Sequence, residues 1–138
     1  MEENAHDIGT IVFVSGQVFL ETESGLIPLA KGDAIAKGAV IVTEDDGRVE
    51  IRFEDNTILS QAENSRISID DYVYDQDDAS ASRFLLNMAE GTLRTVTGKI
   101  AEQNPDEFTV KSPLATIGIR GTEFWIITGE GEEQGLSR

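Results

Sequence analysis

Arg48-Val49-Glu50-Ile51-Arg52-Phe53 is the stretch that decides the fold: three apolar side chains alternate with three charged ones. Successive residues of a strand point to opposite faces, so this hexapeptide describes a strand with one dry and one wet face. It leaves the turn Glu44-Asp45-Asp46-Gly47 and enters the turn Glu54-Asp55-Asn56. Acidic, amide and glycine residues form such reversals because they hydrogen-bond their own backbone or tolerate unusual φ. Outward from it the same period recurs. Thr57 to Ser60 and Ser65 to Asp70 follow it. Before it come Thr10 to Val14, Gln17 to Thr22, Leu26 to Leu29 and Ala39 to Thr43, parted by Ser15-Gly16, Ser24-Gly25, Lys31-Gly32-Asp33 and Lys37-Gly38.

Strand-sized pieces at intervals of roughly ten residues are the pattern of a sandwich, a barrel or a short β-solenoid. No sequence repeats in register, so a solenoid would be irregular. The expectation is an all-β chain, a two-sheet sandwich or short irregular β-solenoid with little helix. Tyr72 to Ser82 is polar and acidic and reads as a surface loop dividing the chain. Arg83 to Ala89 suits a helix by composition and a strand by the alternation of Phe84, Leu86 and Met88; strand, then a turn at Gly91, then strand is favoured. Gly98 to Asn104 has room for one helical turn stopped by Pro105. Phe108 to Lys111 and Glu123 to Thr128 read as strands. The expected division is a flexible segment 1–9, an all-β domain 10–128 and a flexible acidic tail 129–138.

At 138 residues the chain fits one domain, large enough to bury about two-thirds of its unfolded surface without a metal or disulfide staple. Eleven basic residues stand against 26 acidic ones, a net charge of −15. Such a surface repels phosphate backbones and anionic lipid, which disfavours nucleic acid as a partner and leaves basic proteins and divalent cations. The absence of cysteine removes thiolate zinc sites, disulfides and cysteine nucleophiles. His6, the one histidine, lies in a polar terminus, so triad and histidine acid–base chemistry find no support. Gly129 to Glu133 lacks the lysine and hydroxyl of a phosphate-binding loop. No aromatic platform for sugars stands out beside Tyr72, Tyr74 and Trp125.

One cluster invites a metal. Asp70, Asp71, Asp75, Asp77 and Asp78 crowd one short stretch with Gln76. Calcium accepts six to eight such oxygens in flexible geometry, but the EF-hand spacing, with its central glycine and distal glutamate, is missing. The cluster reads first as a solvated loop, and alternatively as a calcium site. No other cofactor is implied.

The stretch from Phe108 to Phe124 resembles the FecR-type domain. Ser112-Pro113, Ala115-Thr116 and Arg120-Gly121-Thr122 fall in the order and spacing of that family's signature. Upstream, Ile11 to Val18 resembles its opening strand–glycine–strand unit and Leu29 to Asp33 its Leu-x-x-Gly-Asp step. Val42 to Arg48 and Met88 to Arg94 resemble its later glycine turns. Within the signature, Pro113, Gly118, Arg120, Gly121 and Thr122 read as structural: Gly118 and Gly121 allow close approach, and Pro113 ends a ladder. The Arg120 guanidinium has five donors for carbonyls or a carboxylate.

The resemblance implies a non-enzymatic cell-envelope module that contacts a protein partner or neighbouring domains of a longer chain, in the periplasm or on the cell surface. The regulators that named the family pass a receptor signal to a sigma factor, and the domain also occurs in large secreted proteins, where a calcium-stiffened adhesin module is the alternative. The chain shows no membrane span and no export signal, and ends before the family's last strand pair; it reads as a piece of a longer protein.

Overall fold

A computed structural model of the chain describes residues 7–75, 77–113, 116–118, 123–129 and 132–137. Its strands are β1 (Asp7–Ser15), β2 (Val18–Thr22), β3 (Gly25–Pro28), β4 (Ala34–Ala36), β5 (Val40–Thr43), β6 (Arg48–Phe53) and β7 (Ile58–Gln61). They continue with β8 (Arg66–Val73), β9 (Arg83–Val96), β10 (Phe108–Lys111), β11 (Thr116–Gly118), β12 (Glu123–Gly129) and β13 (Glu132–Ser137). One short helix, α1 (Lys99–Gln103), and two single 3-10 turns (Ala79–Ala81 and Pro105–Glu107) complete the described elements. The chain is all-β, as its alternation predicts.

The two layers of the expected sandwich are parts of one curled sheet. Its main path runs β3-β2-β5-β8-β9-β7-β6-β1-β4, antiparallel throughout, and β10 joins β9 in parallel. The long strand β9 belongs to both halves. Its first part pairs with β8 and β10, through Phe84↔Tyr72 and Phe84↔Phe108; its second part pairs with β7 and β12, through Thr95↔Leu59 and Thr95↔Phe124. Arg83 to Ala89 is thus strand, and Gly91 bends that strand without reversing it. The inward set changes phase there: Phe84, Leu86 and Met88 are buried before the bend, Leu93 and Thr95 after it. A residue slipped out of register supplies the change, because Arg66 pairs with Glu90 while Ile67 pairs with Met88. One extra residue flips the faces and sharpens the local twist. Gly91 has φ +108, and a Cβ there would stand 1.9 Å from the Ser65 hydroxyl. Only glycine fits.

Two further slips repair alternations that would otherwise fail. Val12 is skipped between Ile11↔Ile51 and Phe13↔Glu50, which turns both Ile11 and Val14 inward. Asp70 is skipped between Ile69↔Leu86 and Asp71↔Leu85, which turns both Ile69 and Tyr72 inward. Tyr72 therefore lies within β8, one residue before its end, and is buried, a correction to its assignment to the surface loop. Its ring joins Phe53 at 5.5 Å and Phe84 at 4.8 Å, and Phe84 stacks on Phe108 at 4.6 Å. These rings fill the middle of one continuous core that also takes Ile41, Ile51, Leu59, Ile67 and Ile100.

The structure draws the ends differently from the sequence division. β1 starts at Asp7, inside the segment 1–9, and Glu132–Ser137 pairs with β12 as β13, inside the segment 129–138. Among the described residues no helix is long and apolar enough to cross a membrane.

Candidate functional site

The turn from β6 to β7 carries the most heavily bonded carboxylate described. Asp55 is buried, and Asn56 beside it adopts φ 72, the left-handed geometry asparagine tolerates. Asp55 Oδ1 accepts the Thr57 N–H at 3.2 Å and the Tyr72 Oη–H at 3.0 Å. Its Oδ2 accepts the Thr57 hydroxyl at 2.8 Å and the Ile100 N–H at 2.9 Å. The Asp55 carbonyl accepts the Lys99 N–H at 2.8 Å, and Thr57 Oγ1 accepts the Gly98 N–H at 3.2 Å. One side chain thus ties a hairpin turn, the end of β8 and the first turn of α1 together. Gly98 makes this approach feasible, since a Cβ there would lie 2.2 Å from the Asp55 carbonyl oxygen. Burial, and next the Asp55 charge, push the Tyr72 phenol far above its ordinary value. With its lone pairs taken and no open face, Asp55 holds the scaffold; it is not placed to move a substrate's proton.

A second buried polar knot joins the halves at the bend of β9. Thr43 Oγ1 donates to the Ala62 carbonyl at 2.6 Å and accepts the Ser65 N–H at 3.0 Å. Ser65 Oγ accepts the Thr92 N–H at 2.9 Å, and Gln61 Nε2 donates to the Ile41 and Ser65 carbonyls at 3.0 and 3.1 Å. Gln61 Oε1 and Thr95 Oγ1 are buried without a partner.

Of the five aspartates proposed as calcium ligands, Asp70 and Asp71 stand on β8 and Asp75, Asp77 and Asp78 in the segment after it. Asp70 Oδ1 accepts the Ser68 hydroxyl at 2.7 Å. Asp71, on β8, is held by the Arg83 guanidinium and lies 3.7 Å from Lys37 Nζ; the Arg83 hydrogen bond draws its carboxyl below the usual carboxylate range. Asp75 Oδ1 accepts the N–H groups of Asp77 and Asp78 at 2.9 and 3.2 Å. Asp78 Oδ1 takes the Ser80 N–H at 3.1 Å and the Ser80 hydroxyl at 2.6 Å, starting the 3-10 turn Ala79–Ala81. These are turn-forming bonds within the loop. Among the described residues no three acidic side chains converge on one point.

Of the signature residues, Pro113 is exposed two positions beyond the end of β10, where the ladder stops. Gly118 pairs with Thr109 at the end of β11. Arg120, Gly121 and Thr122 lie outside the described residues.

Arg66 holds Glu21 across three strands by two bonds, Nε to Oε1 at 3.0 Å and Nη2 to Oε2 at 2.7 Å. At the end of the sheet, β3 is exposed along its whole length.

A family model described as FecR protein matches residues 39–135. That is well over half of the chain and takes in β5 through β12. The chain belongs to the FecR family. The match includes both buried polar knots and the bend of β9 that the second of them braces. Strands β1 to β4 lie before the match yet complete the same core, through Ile8, Ile11, Val18 and Ile35. No curated protein and no solved structure matches the chain.

Nothing in sequence reading singled out Asp55, Thr57 or Tyr72. The one local signal was Asp-Asn-Thr between two strands, an Asx-turn pattern; the partners Tyr72 and Ile100 stand 17 and 45 residues away.

Proposed function

We propose that this FecR-type domain is a non-catalytic contact module of the bacterial cell envelope, which binds a protein partner or a neighbouring domain of a longer chain and takes part in regulatory signalling. The match to the FecR family over residues 39–135 carries the reading. The disposition of polar groups supports it: the buried carboxylate braces the scaffold, and the exposed ones form turns and ion pairs. A net charge of −15 favours a basic protein surface over nucleic acid or anionic lipid as the partner.

The test is genetic. The codons for residues 39–135 are deleted in frame from the encoding gene, and β-lactamase is fused after the domain in the intact gene. The expected result is ampicillin resistance from the fusion, reporting export, together with changed transcript levels of a defined gene set in the deletion strain. A fusion retained in the cytoplasm, or an unchanged transcript profile, overturns the reading.

A further inference from the structure

The two ends of the main sheet path are finished differently. At one end, β4 buries its only large apolar residue, Ile35, to 1% exposure. At the other, β3 leaves Leu26 48% and Ile27 50% exposed, and these are two of the three large apolar side chains exposed among the described residues. Edge strands are usually blunted by lysine, proline or a bulge. β3, Gly25-Leu26-Ile27-Pro28, has no charge and only the proline.

Its register shows what that edge offers. Leu29 N donates to the Val18 carbonyl, so 18/29 is a hydrogen-bonded pair, and with the pairing Phe19↔Pro28, Leu20↔Ile27 and Glu21↔Leu26 the pairs 20/27 and 22/25 follow it. The backbone of Leu26 and Pro28 then faces away from β2. The open edge presents the Leu26 N–H, the Leu26 carbonyl and the Pro28 carbonyl; Pro28 sits where a missing N–H breaks no ladder bond. The core face also stops short here. Met88, Ile67 and Ile41 form one inward row, fully buried, which continues through Leu20 to the half-exposed Ile27. Among the described residues no strand carries that row beyond Ile27.

We propose that β3 is a docking edge for one extended segment of a partner protein, apolar at alternate positions and carrying net positive charge, which adds a strand beside β3. This deepens the reading of the chain as a contact module and rests on it. Strand addition uses main-chain bonds for affinity and alternate side chains for specificity: the Leu26 N–H and carbonyl and the Pro28 carbonyl take the backbone, and an inward apolar side chain extends the row beyond Ile27. Charge selects the occupant. A second copy would bring another −15 against this one, whereas a basic segment is drawn in.

The probe is a synthetic peptide, acetyl-Lys-Val-Thr-Val-Thr-Lys-amide, titrated to millimolar concentration into 15N-labelled protein at low salt. Amide shift changes are expected to concentrate at residues 18–28, with binding about tenfold weaker for the Glu-flanked analogue and weakened as salt shortens the screening length. Leu26→Pro removes the one outward N–H without breaking a bond to β2 and is expected to abolish binding while the remaining spectrum is kept. Leu26→Lys, which keeps the N–H but blunts the edge, weakens it. Shift changes centred elsewhere, equal binding of the Glu-flanked peptide, or unaltered binding by Leu26→Pro overturns the proposal. So does concentration-dependent self-association through β3 without peptide. The peptide can fail while export and the transcript response stand, so the two readings fail separately.

Discussion

Replacing Asp55 with alanine leaves four buried donors, on Thr57 N, Thr57 Oγ1, Tyr72 Oη and Ile100 N, facing a methyl group. A hydrogen bond to a charged group contributes about 1.5–3 kcal/mol, and a buried donor stripped of its partner costs about 1–3 kcal/mol. Four such terms do not add, because the Thr57 hydroxyl can turn and the turn can relax; about 4–5 kcal/mol is the expected loss. A domain of this size has on the order of 7–15 kcal/mol in total, so the variant keeps about 2–11 kcal/mol and still folds. Asp55→Asn keeps the shape and one acceptor, turns an amide N–H towards the Ile100 N–H, and costs about 2–3 kcal/mol. The assay is urea unfolding followed by far-UV circular dichroism. With a slope of about 2 kcal/mol/M, the midpoint falls by about 2 M for the alanine variant and about 1 M for asparagine. A loss under about 1 kcal/mol for Asp55→Ala refutes the clamp.

Three further outcomes follow from the same geometry. Tyr72 is held protonated in the folded state, so its contribution is complete below its unfolded value near 10 and is lost as pH rises above it, by about 1.4 kcal/mol per pH unit. Tyr72→Phe loses about 2 kcal/mol at pH 8 for want of the Asp55 bond, and its deficit against the wild type shrinks above pH 10; a deficit that stays constant to pH 11.5, about 1.5 units higher, refutes this. Thr95→Val removes a buried hydroxyl that has no partner and is expected to stabilise by about 1 kcal/mol in the same urea assay, with a destabilisation of that size as the contrary result. Melting in calcium at about 1 mM and in EDTA is expected to agree within about 1 °C, since the loop aspartates bond within their own turns; a calcium shift corresponding to occupancy of about 100 times Kd, near 2.7 kcal/mol, would establish the metal reading.

The fold class was legible because alternation is a local property. Arg48 to Phe53 alone implies a strand with one wet face, and the glycine turns mark where strands stop. What sequence reading could not place were the register slips. Val12, Asp70 and the bend near Gly91 each shift the inward set by one, and a slip looks in sequence like a broken pattern. For that reason Tyr72, three residues after Ile69, read as loop, and β9 read as two strands around a turn. The sharing of β9 between both halves of the sheet is a non-local fact with no signature of its own. The same holds for the site. A crowd of aspartates draws the eye to a metal, yet short polar side chains in a turn bond first to the nearest N–H groups. Asp55 looked like one more turn residue because its partners come from β8 and α1.

Contact and chemistry separate most directly in a complementation measurement of the transcript response. The strain lacking residues 39–135 is supplied with the full gene carrying Asp→Asn at Asp70, Asp71, Asp75, Asp77 and Asp78, or with Leu26→Pro, each checked for folding by circular dichroism. The contact account predicts that the acid-stripped protein restores the response and the edge-blocked one does not. A folded acid-stripped protein that fails, beside a Leu26→Pro protein that succeeds, would contradict it.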